Sequence, residues 1–144
     1  MVQIKYIIPE ETYPIRKKIL RKNIDLPSEF HGDFDKETFH LGLFEDDKLV
    51  SIASFVKSIH ENFKGTQFQL RGMATLEEFQ GNGYGKYVVL EAEKILREKN
   101  ISILWCNARV SAVHFYYKQG FKSIGQEFDI PQIGGHFVMF KKLV

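Results

Sequence analysis

The sequence predicts an α/β (α+β) fold of seven strands and three helices in the order β-α-β-β-β-α-β-α-β-β, and three observations predict it. Short β-rich runs, either alternating or wholly apolar, recur from Val2–Ile8 to His136–Leu143 with turn residues between them. Between two of these runs, Val88, Val89, Ala92, Ile95 and Leu96 recur at the spacing of one helix face. At the start of that helix, Gln80-Gly81-Asn82-Gly83-Tyr84-Gly85 places three alternating glycines where a strand hands over to a helix.

Val2–Ile8 is β-rich and is stopped by Pro9, which reads as a first strand. Thr12 then stands as the cap of a helix running to about Asn23, with Pro14 in a first turn that does not need its N–H. In that helix Tyr13, Ile15, Ile19 and Leu20 form an apolar stripe, and Arg16-Lys17-Lys18 with Arg21-Lys22 read as its wet face. Asn23–Lys36, with Pro27, Gly32 and three aspartates, reads as a stretch with little regular structure. Thr38–Phe44 and Leu49–Lys57 read as a hairpin turning at Glu45–Lys48, and Ser58–Gly65 as a loop. In Thr66–Thr75, Phe68 and Leu70 face one way while Gln69 and Arg71 face the other. The helix from Gly83 to Lys99 stops at Asn100, and Ile101–Asn107 is apolar enough to be buried on both faces. Ser111 is the expected cap of a helix through Gln119, with Gly120 just past its end. Phe121–Phe128 and His136–Leu143 complete the strands.

At 144 residues the chain suits one domain with a sizeable core, and 44% hydrophobic with 26% charged residues is globular rather than disordered. A net charge of +2, with scattered lysines and arginines, argues against a nucleic-acid partner. Cys106 is the only cysteine, so an internal disulfide is excluded, and its run Ile103-Leu104-Trp105-Cys106 makes it a buried core thiol. The first residues lack a signal-peptide pattern and no apolar run reaches membrane-spanning length, so a cytoplasmic protein without a membrane partner is expected.

Glycines at such a turn reach φ > 0 cheaply and leave consecutive N–H groups bare at a helix N-terminus, an arrangement that binds phosphate. A P-loop is excluded because Gln80 stands where its first glycine belongs and Tyr87 where its Ser or Thr belongs. A dinucleotide fingerprint is weak because Lys86 occupies the third glycine's place. Gln80, Gly83 and Gly85 do fit Gln/Arg-x-x-Gly-x-Gly/Ala. With Met73-Ala74-Thr75 upstream and Phe115-Tyr116 followed by Gly120-Phe121 downstream, the chain resembles the GCN5-related N-acetyltransferase (GNAT) superfamily from about Gln3 to Leu143.

The resemblance implies a single GNAT-like domain over residues 1–144, a mixed, mostly antiparallel sheet with helices on both faces, and acetyl-CoA as donor to an amine. It implies that the turn from Gln80 through Gly81, Asn82, Gly83, Tyr84, Gly85 and Lys86 holds the coenzyme A pyrophosphate. It places the strand opening at Met73-Ala74-Thr75, with a backbone N–H near Thr75 as oxyanion donor. Tyr116 takes the family's acid position, a phenol of pKa about 10 able to protonate a thiolate whose conjugate acid lies near 8.5. Where many members carry an asparagine that contacts pantetheine, this chain has Arg109, with Asn107 two residues earlier: either residue is a candidate for the cofactor, or the contact is lost and Arg109 reaches a phosphate or the acceptor instead.

The base is open among Glu77, Glu78, His136 and water; His136 follows Gly134-Gly135 before the last strand. His31, His40, His60 and His114 show no ligand spacing, and no metal is expected. The leading expectation is an N-acetyltransferase acting on a small-molecule amine, with a homodimer open. A non-catalytic acyl-CoA sensor on the same scaffold is the alternative. The acceptor is not readable from the letters, although no acidic cluster stands out that would select a polyamine.

Overall fold

The computed structural model describes residues 1–144. Its strands are β1 (Val2–Ile7), β2 (Phe39–Glu45), β3 (Lys48–Val56), β4 (Gln67–Thr75), β5 (Ile103–Arg109), β6 (Lys122–Ile130) and β7 (Gly134–Lys142). They form one sheet in the order β1-β2-β3-β4-β5-β7-β6. Every neighbouring pair is antiparallel except β4 and β5. These two run parallel and pair only at Gln67↔Ile103, Phe68↔Leu104 and Gln69↔Trp105. Beyond that point β4 continues to Thr75 and β5 to Arg109 without pairing, so the sheet divides in its middle.

The hairpin of β2 and β3 turns on Asp46 and Asp47, whose φ of 48° and 71° match the twist that a two-residue turn requires. Helix α2 (Tyr84–Glu98) lies on the face that carries Phe39, Phe55 and Phe68, whose rings contact one another. Lys99, just past the helix end, reaches over the Phe39 ring. Val88, Val89, Ala92 and Leu96 are fully buried there, as their spacing predicted. His40 and Ser54, next in sequence to Phe39 and Phe55, point to the opposite face and meet Arg16 after helix α1 (Pro9–Ile15). Helices therefore cover both faces.

Two helix boundaries differ from expectation. Helix α1 starts at Pro9, not at Thr12, because Glu11 accepts the Ile8 N–H at 2.9 Å and Pro9 needs no partner at the first position. Thr12 sits inside the helix, buried, with its hydroxyl donating to the Pro9 carbonyl at 2.6 Å. A π-helical turn over Arg16–Leu20, closed by the Arg21 N–H on the Arg16 carbonyl, ends the element well before Asn23. Ser111 caps nothing: it lies in a 3-10 turn (Val110–Ala112), and helix α3 (Val113–Tyr117) is a short piece beyond it.

The expected wet face also needs correction. Lys17, Lys18 and Lys22 are exposed, but Arg16 is fully buried and grips Asp33 with both terminal nitrogens, at 2.6 and 3.0 Å. Its Nη2 also donates to Ser54 Oγ at 2.9 Å, and the guanidinium lies 3.8 Å from the Phe30 ring centroid. His40 joins this network, Nδ1 to Ser54 Oγ at 2.6 Å and Nε2 to the Asp33 carbonyl at 3.0 Å. A chain segment without regular structure is thereby fastened to the sheet. Removing one partner of a buried pair strands the other, so Asp33→Ala is expected to cost about 3–5 kcal/mol of unfolding free energy, measured by urea titration.

The same network sets an acid sensitivity. Burial lowers the His40 pKa, so the unfolded chain takes up that proton first, and stability declines as pH falls through about 6.5. Burial alone would raise Asp33, but its hydrogen bonds from Arg16 and Phe30 and the Arg16 charge outweigh this and hold it below the usual range. Its contribution is present above about pH 4 and is lost as pH falls through the lowered value. Thermal melts from pH 8 to 4 should fall in the wild type, and His40→Gln should flatten the limb near 6.5.

Candidate active site

The divided sheet makes a slot, and local sequence shapes its walls. On β4 the register slips between Ile52↔Ala74 and Ser54↔Arg71, so Gly72 and Met73 together oppose one residue of β3 in a bulge. Gly72 has φ +62°, and a Cβ there would lie 3.0 Å from the Phe30 ring and 3.3 Å from Arg16 Nε. The Leu76 N–H donates to the Val50 carbonyl at 2.9 Å. Antiparallel alternation then turns the Thr75 N–H away from β3 and toward the slot. The Thr75 hydroxyl is engaged with Ser51 Oγ at 2.8 Å, so this residue offers the slot its backbone.

The glycine turn stands at the slot's mouth. The N–H groups of Gly81, Asn82, Gly83, Tyr84, Gly85 and Lys86 make no hydrogen bond within the protein, and the helical ladder begins with Tyr87 on the Gly83 carbonyl. Gly81 and Gly83 have φ of +87° and +77°, and the space a Cβ would enter at Gly81 is open. Six consecutive free donors at the start of a 15-residue helix form an anion cradle.

Several expected members of that cradle have other duties. The Gln80 N–H is already taken by the Glu77 carbonyl at 3.2 Å, and its side chain donates to the Thr75 carbonyl at 2.9 Å, bracing the turn. The Asn82 side chain is exposed, bonds the Phe79 carbonyl and lies outside the cavity lining, so only its N–H remains available. Tyr84 turns its side chain inward to donate to Glu45, which leaves its N–H alone for the cradle. Gly85 is small for a packing reason, since a Cβ there would meet the Phe115 ring at 3.2 Å and Met73 at 3.5 Å.

Slot and turn border a cavity of about 1080 Å³, and Met73, Ala74, Thr75 and Tyr116 are among the residues that line it. Tyr116 is buried between Phe115 and Phe121, at ring-centroid distances of 5.0 and 5.4 Å. Burial raises its phenol well above the ordinary value, with Cys106 adding to it, so the proton is retained at neutral pH. Cys106 is buried as expected, and burial pushes its thiol up as well.

Asn107 and Arg109 project from β5 to the side opposite Cys106 and Tyr116, the side of α1. Asn107 is exposed, while Arg109 is half-buried and donates to the Leu20 carbonyl at 2.8 Å. Opposite Arg109 on β7 stands His136, buried, with Nδ1 2.7 Å from the Gly134 carbonyl. A carbonyl only accepts, so Nδ1 is the donor there and Nε2 is the ring nitrogen left without a protein partner. Glu77 and Glu78 are exposed on a 3-10 turn and do not reach the cavity. Sequence reading missed Arg21, Phe30 and Arg71, which also line it. Only Arg71 carried a signal, as the polar residue of an alternating strand.

A family model described as the acetyltransferase (GNAT) family matches residues 5–121. The uncharacterized N-acetyltransferase YitI of Bacillus subtilis (strain 168) is 40% identical over 145 residues, spanning 99% of this chain and 97% of the relative. Among solved structures, Escherichia coli ElaA superposes with a TM-score of 0.80 at 16% identity, covering 98% of this chain and 99% of its own. An aminoglycoside 6'-N-acetyltransferase complexed with coenzyme A gives a TM-score of 0.76 at 12% identity, covering 99% and 97%. At such identities the two structures speak for the fold.

Proposed function

Because the chain belongs to the acetyltransferase (GNAT) family and is an N-acetyltransferase, we propose that it moves an acetyl group from acetyl-CoA to the primary amine of a small molecule by direct attack on the thioester. The observation that carries this reading is the run of free N–H groups from Gly81 to Lys86 beside a divided sheet. A diphosphate fits such donors, and the α2 dipole adds to the attraction. The coenzyme A held by the aminoglycoside acetyltransferase of like fold supports the same donor. When bound, acetyl-CoA supplies the activated acyl group.

The chain's own groups supply the rest. The Thr75 N–H, turned into the slot, is the oxyanion donor. Tyr116 gives its proton to the departing thiolate, and its raised pKa keeps that proton available until it is needed. His136 takes the proton of the incoming amine through Nε2, directly or through one water. Of the two residues that replace the usual pantetheine contact, Asn107 is exposed with no side-chain hydrogen bond, whereas Arg109 is half-buried and gives one of its donors to the Leu20 carbonyl. Acetyl-CoA with a panel of primary amines should release free thiol with at least one acceptor. Tight donor binding with no acceptor-dependent release across the panel would favour a sensor instead.

A further inference from the structure

The cavity contains no aspartate or glutamate, yet Arg21, Arg71 and Arg109 all line it. None of the three forms an ion pair. Each spends a hydrogen bond on a main-chain carbonyl: Arg21 on Pro27 at 3.1 Å, Arg71 on His31 at 2.9 Å and Arg109 on Leu20 at 2.8 Å. A guanidinium carries five N–H donors, so each keeps several for a ligand. Arg21 and Arg71 lie 4.9 and 5.0 Å from the Phe30 ring centroid, beside the buried Arg16 at 3.8 Å. Asp33 pairs with the buried Arg16, and although its charge offsets part of the burial effect at Arg71 it makes no ion pair with any of the three.

Unpaired like charges held together are costly unless a counter-charge joins them. Burial lowers all three guanidinium pKa values, and at Arg21 the charges of Arg109, Arg16 and Arg71 lower it further. The cluster also lies on the right side of the sheet for an acceptor. Arg71 and Arg109 project to the α1 face, whereas the glycine turn belongs to α2 on the other face. The coenzyme A diphosphate is therefore served by a different set of donors. His136, the candidate base, shares the arginine side as the cross-strand partner of Arg109.

We propose that the acceptor amine also carries an anionic oxygen group, a carboxylate or a phosphate, which Arg21, Arg71 and Arg109 bind while its amine faces His136 and the slot. This rests on the acetyltransferase reading above. Guanidinium forks match both anions with paired hydrogen bonds, whereas a second cationic group in the same place would meet repulsion. The site thereby selects against polycations.

The test uses matched acceptors: an α-amino acid against its amide, and an amino sugar phosphate against the free amino sugar. The anionic member of at least one pair should be acetylated with kcat/KM at least tenfold higher, and which pair responds separates carboxylate from phosphate. Arg71→Gln and Arg21→Gln should raise KM for that acceptor at least tenfold, with little change for its neutral partner. A second readout needs no turnover: with coenzyme A saturating the turn, calorimetric titration of inorganic phosphate or propionate should show binding that Arg71→Gln weakens. Neutral amines acetylated as well as anionic ones would overturn this inference and leave the acetyltransferase reading intact. Failure to bind coenzyme A would overturn that reading, while anion titration of the free protein still decides the arginine site.

Discussion

Tyr116→Phe is expected to lower kcat by about 10²- to 10³-fold while acetyl-CoA affinity stays within about twofold. The phenol is buried between Phe115 and Phe121, so loss of one oxygen leaves the packing in place. What disappears is a proton held ready beside the slot by a pKa that burial has raised. Because that pKa is raised rather than lowered, the wild-type rate should show no loss of the acid on its alkaline side up to at least about pH 10. Stopped thiol-release assays at saturating donor, with calorimetry for donor binding, separate the two effects. Full activity of Tyr116→Phe would remove the acid assignment and leave the fold untouched.

Gly83→Val should weaken acetyl-CoA binding by about 10²-fold, mainly through KM for the donor. Gly83 precedes α2 with φ +77°, a conformation that is a genuine outlier for a β-branched residue. Forcing that residue back to negative φ turns the neighbouring amides out of register, so the cradle loses its convergence. Gly85→Ala is the informative contrast. Its Cβ would press on the Phe115 ring at 3.2 Å, so it should lower the melting temperature more than the donor affinity. Calorimetric titration of both variants against thermal melts distinguishes a phosphate cradle from a packing hinge.

Strand order along the chain, helix α2 and the Asp46–Asp47 hairpin were legible because period and turn chemistry are local signals. The start of α1 was misplaced because Thr12 is a preferred cap type, while the real start uses Glu11 reaching back to an apolar Ile8. Arg16 looked like a surface cation because its partner, Asp33, is 17 residues away in a segment without periodicity. Within the turn, spacing grouped the residues without giving each its duty. Whether an N–H is free, as at Gly81, or spent, as at Gln80, depends on hydrogen bonds that spacing does not encode. Arg109 stood out as a residue for a phosphate or the acceptor, but its companions did not: Arg21, Arg71 and Arg109 come from three distant stretches that only the fold brings together.

The most direct measurement is a titration of ¹⁵N-labelled protein with coenzyme A, followed by amide NMR. Gly81, Gly83 and Gly85 fall in the uncrowded glycine region, with Gly42 and Gly65 as references away from the turn. Amides that take up a diphosphate should move strongly downfield and saturate together, with the references still. Saturable binding that leaves those three resonances in place, or no binding at millimolar coenzyme A, would contradict the assignment of the donor site.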